Sequence, residues 1–211
     1  PVGDENIDQA SAREVAATRG GVGLCDVSPL GKIDIQGPDT AEFLNRVYVN
    51  GWKGLAVGRA RYGLMLRDDG LVFDDGTTSR LAEHHYLMTT TTANAHAVLA
   101  MLEYHLQVIW PDLRVLVADV TDQWAAMSIA GPRARELLAG LVDIDIGNQA
   151  FPFMAVAECR IAGVAGRLFR ISFSGELAYE VAVPADYGQA VWQAIVDAGG
   201  PHDLVTYGTE S

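Results

Sequence analysis

Alternating apolar and polar positions predict short strands separated by helices. The segment 32–36, Lys-Ile-Asp-Ile-Gln, alternates with a period of two, which is typical of a half-buried strand. Gly37-Pro38 ends that strand, and apolar residues then recur at helical spacing over 41–47. Because proline is favoured at the first helical position, we expect Pro38 to begin this helix.

The same pattern of strand, Gly-Pro and helix returns later in the chain. The apolar segment 126–130 precedes Gly131-Pro132, and leucines at 137, 138 and 141 follow at helical spacing. Two copies of one pattern indicate an internal duplication.

The same reasoning predicts further elements around the two copies. Helices are expected at 4–19, 93–106 and 185–197, and strands at 61–67, 71–75, 77–81, 86–91, 155–161, 167–173 and 177–183. Asp68-Asp69-Gly70 predicts a hairpin turn between the first two of these strands. Strands in hairpins, without regular strand-helix alternation, predict an α+β fold of antiparallel sheets flanked by helices, with any subdomains interleaved.

Composition narrows the classes of function. The chain has 211 residues, 49% of them hydrophobic, so it can bury a substantial core. Its net charge of −12 argues against a nucleic-acid or anionic-membrane partner, since either requires a basic face. Cys25 and Cys159 are the only cysteines and lack metal-ligand spacing, so we expect reduced thiols and no metal site.

The apolar runs and the two ends of the chain indicate where the protein is located and whether the chain is a segment of a longer one. No apolar run approaches the roughly 20 residues needed to cross a bilayer, and the N-terminus lacks a targeting signal, which favours a cytoplasmic protein. The chain begins at Pro1 and stops shortly after Tyr207-Gly208. We therefore expect it to be a segment of a larger polypeptide.

Two adjacent carboxylates end the apolar run Leu71-Val72-Phe73 and are the first candidates for chemistry. A strand alternates its faces, so Asp74 and Asp75 point in opposite directions, and an inward carboxylate is costly without a partner. Tyr62 lies on the preceding predicted strand, where its ring could share one wall with Asp75. A packed core tyrosine is the alternative for Tyr62.

A second candidate lies near the predicted turn at Ser174-Gly175. Glu180 interrupts an otherwise apolar alternation over 177–183, and strict alternation turns its carboxylate away from those apolar side chains. It is either a binding carboxylate or a solvated acid on an outer face.

Several motifs in order resemble the folate-binding region of the aminomethyltransferase family, which includes the T-protein of the glycine cleavage system. They are Asp26-Val27-Ser28, Gly31-Lys32-Ile33, Gln36-Gly37-Pro38, the acidic pair ending at Asp75, and Ser174-Gly175-Glu176 with Glu180. Within this family the chain resembles the C-terminal half of sarcosine oxidase alpha subunits more closely than it resembles T-proteins. That similarity is carried by residues 59–66, 72–78, 87–94 and 173–180.

The resemblance implies interleaved subdomains, about 1–33 plus 127–211 and 34–126, and a C-terminal barrel beyond this chain. It implies tetrahydrofolate as the cofactor, with Glu180 accepting the forked N-H donors of the pterin. Tyr62 and Phe173 match positions where the family packs aromatic rings around folate. Asp75 matches the catalytic carboxylate, which manages the proton as a folate amine attacks an iminium carbon or formaldehyde.

The implied function is capture of the product of sarcosine demethylation as 5,10-methylenetetrahydrofolate. The implied partners are folate and the beta, gamma and delta subunits, with FAD, FMN and NAD bound elsewhere in the intact complex. The family also has an arginine shortly beyond the end of this chain, so we expect weak folate binding by the chain alone. The alternatives are a non-catalytic scaffold that binds folate or docks subunits, a T-protein, and a dimethylglycine dehydrogenase domain.

Overall fold

The computed structural model describes residues 2–208 and divides them into two compact units. The terminal unit is drawn from Pro1–Ser28 and Asp122–Ser211, and the central unit is Pro29–Thr121. The chain therefore passes from the terminal unit to the central unit and back.

Helices form where apolar residues recur at helical spacing, strands form where apolar and polar residues alternate, and Gly-Pro pairs separate strands from helices. In chain order these elements are α1 (Ile7–Gly20), β1 (Gly23–Asp26), β2 (Gly31–Gln36), α2 (Thr40–Val47), β3 (Arg59–Leu66), β4 (Val72–Ala82), β5 (His85–Thr90), α3 (Ala95–Tyr104), β6 (Leu116–Asp119), β7 (Trp124–Ala130), α4 (Ala134–Ala139), β8 (Val156–Ile161), β9 (Val164–Phe169), β10 (Ala178–Pro184), α5 (Gly188–Gly199) and β11 (Val205–Thr206). A π-helical turn, His105–Ile109, follows α3. None of the helices described is long and apolar enough to cross a membrane.

Each unit contains one sheet. The central sheet has the order β3-β4-β5-β2-β6, and all of its neighbouring strands are antiparallel. The terminal sheet has the order β11-β1-β7-β10-β9-β8, in which only the short β11 runs parallel to its neighbour among the described strands. The predicted α+β class with antiparallel sheets flanked by helices is confirmed.

The internal duplication is also confirmed. The series β2-α2-β3-β4-β5-α3 and β7-α4-β8-β9-β10-α5 place their strands in the same neighbour order. Gly37 and Gly131 have φ angles of 141° and 127°, which only glycine adopts readily, and each carbonyl accepts the amide hydrogen that begins the next helix. The repeated Gly-Pro therefore marks the same sharp turn in both units.

Each unit has its own apolar core. The terminal core lies on one face of the sheet, against α4 and α5, and includes Leu24, Ile129, Leu138, Leu168, Tyr179 and Ile195. The central core includes Ile33, Ile35, Phe43, Trp52, Met88 and Leu102. Two separate cores explain why a chain of this size forms two units.

Many boundaries differ from the predictions, and three of these differences have an identifiable cause. Helix α2 begins at Thr40 and not at Pro38, because the Gly37 carbonyl first closes a turn with Thr40. The strands predicted at 71–75 and 77–81 are one strand, β4, since Gly76 pairs opposite Gly63 and the ladder with β3 continues through it. Strand β9 ends at Phe169, so the predicted extension to 173 is wrong and a loop occupies residues 170–177.

Candidate active site

Tyr62 and Asp75 meet on one face of the β3-β4 hairpin. Tyr62 pairs with Thr77, and Leu64 pairs with Asp75, so Tyr62 and Asp75 are diagonal neighbours on the same face of the sheet. Diagonal neighbours lie within reach of an aromatic side chain. The Tyr62 hydroxyl donates a hydrogen bond of 2.8 Å to Oδ2 of Asp75.

This pair is accessible to solvent. Tyr62 is 47% exposed, and Asp75 is partly buried. The hydrogen bond to the Asp75 carboxylate, followed by burial and the carboxylate charge, raises the pKa of Tyr62 above its ordinary value. Tyr62 is therefore a neutral donor at physiological pH. The alternative of a packed core tyrosine is wrong.

Asp74 has a different environment from its neighbour. It is only 2% exposed, and its carboxylate accepts hydrogen bonds from the Thr91 amide, the Thr91 hydroxyl and the Asn94 side chain at 3.2, 2.6 and 3.3 Å. Strand alternation therefore buries Asp74 and leaves Asp75 on the opposite face. The costly inward carboxylate is satisfied by neighbouring residues of the central unit.

Glu180 lies in the middle of the terminal sheet. It pairs with Ser128 on β7 and with Phe169 on β9, and Ser128 pairs in turn with Cys25 on β1. This row faces away from the core that contains Tyr179. Glu180 is partly exposed.

The Glu180 charge acts on two neighbouring groups. Burial is the main cause of the raised pKa values of the Cys25 thiol and the Tyr207 hydroxyl, and the negative charge of Glu180 contributes to both. Tyr207 also donates a hydrogen bond of 3.5 Å to Ser128. The carboxylate is thus part of a polar group that includes Ser128, Cys25 and Tyr207.

Phe173 is fully exposed in the loop between β9 and β10. Two residues later, Gly175 has a φ angle of 82°, and its amide donates a hydrogen bond of 3.0 Å to the Ser172 hydroxyl. This turn presents the aromatic ring to solvent.

The structure thus brings Tyr62 and Asp75 together in the central unit and places Phe173 and Glu180 in the terminal unit. Thr89, Thr91 and Asn94, which hydrogen-bond to β4 beside Asp75, received no role from the sequence. The sequence feature that could have indicated them is the run 89–94, Thr-Thr-Thr-Thr-Ala-Asn, directly after the apolar residues 86–88.

The fold is that of the aminomethyltransferase class. A solved structure of glycine cleavage system aminomethyltransferase T from Bartonella henselae superposes with a TM-score of 0.80 at 25% identity, covering 94% of this chain and 51% of that chain. The chain belongs to the GCVT N-terminal domain family, whose model matches residues 3–211.

Two curated relatives show which proteins of this class the chain resembles in sequence. The sarcosine oxidase subunit alpha of Rhizobium meliloti (strain 1021) is 56% identical over 211 residues, which are 99% of this chain and 21% of that protein. An aminomethyltransferase of Thermus thermophilus is 35% identical over 190 residues, which are 88% of this chain and 52% of that protein. The chain therefore spans about a fifth and about half of these relatives. The family predicted from the motifs is confirmed.

Proposed function

We propose that this chain is the tetrahydrofolate-binding segment of a sarcosine oxidase alpha subunit. Its function is to capture the imine or formaldehyde from oxidative demethylation of sarcosine as 5,10-methylenetetrahydrofolate, with release of glycine from the imine or of water from formaldehyde. The high identity to the Rhizobium meliloti subunit over nearly the whole chain supports the choice of sarcosine oxidase over the other aminomethyltransferase-like proteins.

The hydrogen-bonded Tyr62–Asp75 pair is the observation that carries this proposal. Tetrahydrofolate supplies the nucleophilic nitrogen atoms. A carboxylate beside them stabilises positive charge as it develops on the attacking nitrogen and can then accept its proton. Tyr62 holds Oδ2, so Oδ1 is the oxygen that we assign to proton acceptance. The catalytic role therefore falls on Asp75 and not on the buried Asp74.

Glu180 is assigned to recognition of the pterin ring. An ionised carboxylate accepts two parallel N-H donors as a fork, and charge assistance makes such bonds strong. On the same sheet face, Ser128, Ala178 and Ala182 are short and leave space beside the carboxylate, and the ring of Phe169 lies on the β9 side. These features fit a flat ligand with paired donors.

The exposed rings of Tyr62 and Phe173 are each suited to packing against an aromatic ligand. Phe173 lacks the hydroxyl of the tyrosine found at this position in many T-proteins, so its role is apolar packing. For the whole protein we propose association with beta, gamma and delta subunits in the cytoplasm. FAD, FMN and NAD would bind elsewhere in that complex.

Calorimetric titration with 5-formyltetrahydrofolate, a stable folate analogue, tests the proposal. We expect saturable binding that weakens by about 1.5–3 kcal/mol in Glu180→Gln, the range for a hydrogen bond to a charged group. The matched control is Glu158→Gln, which changes an exposed acid on β8 of the same sheet and should leave affinity unchanged.

The titration is repeated with the full-length polypeptide, because the family resemblance predicts weak binding by this segment alone. Absence of binding in both forms would refute the folate assignment and leave the subunit-docking scaffold as the better explanation. Equal weakening by Glu158→Gln would refute the specific role of Glu180.

A further inference from the structure

The backbone ladder between β4 and β5 stops before it reaches Asp75. The last backbone pair on that side is Thr78 with Met88, although both strands continue beyond it. Beyond this pair, side chains of the polar residues that follow Met88 form hydrogen bonds to β4 in place of the missing backbone hydrogen bonds. We call Thr89, Thr91 and Asn94 the 89–94 clamp.

Thr89 holds the chain on the C-terminal side of Asp75. Its hydroxyl accepts a hydrogen bond of 3.1 Å from the Thr77 amide and donates one of 2.9 Å to the Thr77 carbonyl. One side chain thereby satisfies both backbone groups that a ladder partner would satisfy. Thr77 is fixed two residues after Asp75.

Thr91 and Asn94 hold the chain on the N-terminal side. Thr91 donates its amide and hydroxyl hydrogens to the buried Asp74 carboxylate. The Asn94 side chain donates to the Phe73 carbonyl at 3.0 Å and to Asp74 at 3.3 Å. The residues immediately before Asp75 are therefore fixed as well.

Gly76 permits this arrangement. A Cβ atom at this position would overlap the Thr89 carbonyl oxygen, because it would lie far inside their van der Waals contact distance. The absence of a side chain brings β4 close enough to β5 for the three clamp side chains to reach it.

We infer that the 89–94 clamp positions the Asp75 carboxylate, so that Thr89, Thr91 and Asn94 are positioning residues for the proposed one-carbon transfer. The inference rests on the proposed function. The clamp residues act through the backbone of β4 and through Asp74. A carboxylate must lie at a defined distance from the reacting nitrogen, and a displacement of about 1 Å can lower the rate about 100-fold.

Paired variants of the full-length, assembled enzyme test the inference. Thr89→Val and Thr91→Val keep the side-chain shape and remove the hydroxyl, whereas Thr89→Ser and Thr91→Ser keep the hydroxyl. We expect the valine variants to lower kcat for methylenetetrahydrofolate formation by about 10- to 100-fold. The serine variants should stay within about twofold of the parent, and Kd for 5-formyltetrahydrofolate should not change in any of them. Asn94→Ala provides the same test if a valine variant does not fold.

A double-mutant cycle with Asp75→Asn separates positioning from a general structural role. If the clamp acts through Asp75, Thr91→Val should cause no further loss of kcat in the Asp75→Asn background. Full additivity, an unchanged kcat in both valine variants, or a Kd that weakens as much as kcat falls would each overturn the inference. An unchanged kcat in Asp75→Asn alone would instead refute the proposed catalytic role.

Discussion

Replacement of Asp74 by alanine tests whether the buried member of the acidic pair stabilises the fold. Its carboxylate accepts three hydrogen bonds, two from Thr91 and one from Asn94, at a site that is only 2% exposed. The substitution leaves these donors without their acceptor in a region from which water is largely excluded. The expected effect is therefore a large loss of stability.

The magnitude follows from these contacts. A hydrogen bond to a charged group contributes about 1.5–3 kcal/mol, and an unsatisfied buried donor costs about 1–3 kcal/mol. The contacts with Thr91 are the better placed, whereas the contact with Asn94 is long and the Asn94 amide keeps a bond to Phe73. We therefore expect Asp74→Ala to lower the free energy of unfolding by about 3–5 kcal/mol. In a chain of this size the melting temperature would fall by roughly 10 °C.

The assay is urea unfolding followed by circular dichroism, with the midpoint and slope measured for each variant. Asp75→Ala is the matched control, because it removes an adjacent carboxylate on the opposite face that has one hydrogen bond, from Tyr62. We expect the control to cost less than about 1 kcal/mol. Equal losses in the two variants, or a loss below about 1 kcal/mol for Asp74→Ala, would refute the assignment of a structural role to Asp74 alone.

Two further predictions concern the exposed aromatic residues. Asp75→Asn should lower the pKa of Tyr62 toward its ordinary value, because the charged acceptor that favours the neutral hydroxyl is lost. Ultraviolet titration of tyrosinate, with Tyr62→Phe identifying the signal, measures this shift, and a pKa that rises or stays constant would contradict the hydrogen bond. Phe173→Ala should change the unfolding free energy by less than about 0.5 kcal/mol, because the ring is fully exposed. The same variant should weaken binding of 5-formyltetrahydrofolate in calorimetry, and unchanged affinity would exclude Phe173 from the folate site.

Local patterns were sufficient for many of the elements. Strand β2 follows from strict alternation, and the repeated Gly-Pro turns follow from backbone requirements within a few residues. The proximity of Tyr62 to Asp75 could also be predicted from the sequence, because a short hairpin turn brings one strand beside the next. The boundaries near Pro38 and Phe169 could not be predicted from the sequence, because they depend on a turn hydrogen bond and on where strand pairing stops.

The sequence by itself determined the family, the duplication and the opposite orientations of Asp74 and Asp75, because motifs, repeats and strand alternation are properties of the chain. Tertiary structure alone decided which carboxylate faces the interior. That choice depends on Thr91 and Asn94, which are 17 and 20 residues from Asp74 along the chain and reach it only after β5 has folded beside β4. Alternation specifies two faces, but only packing specifies which face is buried.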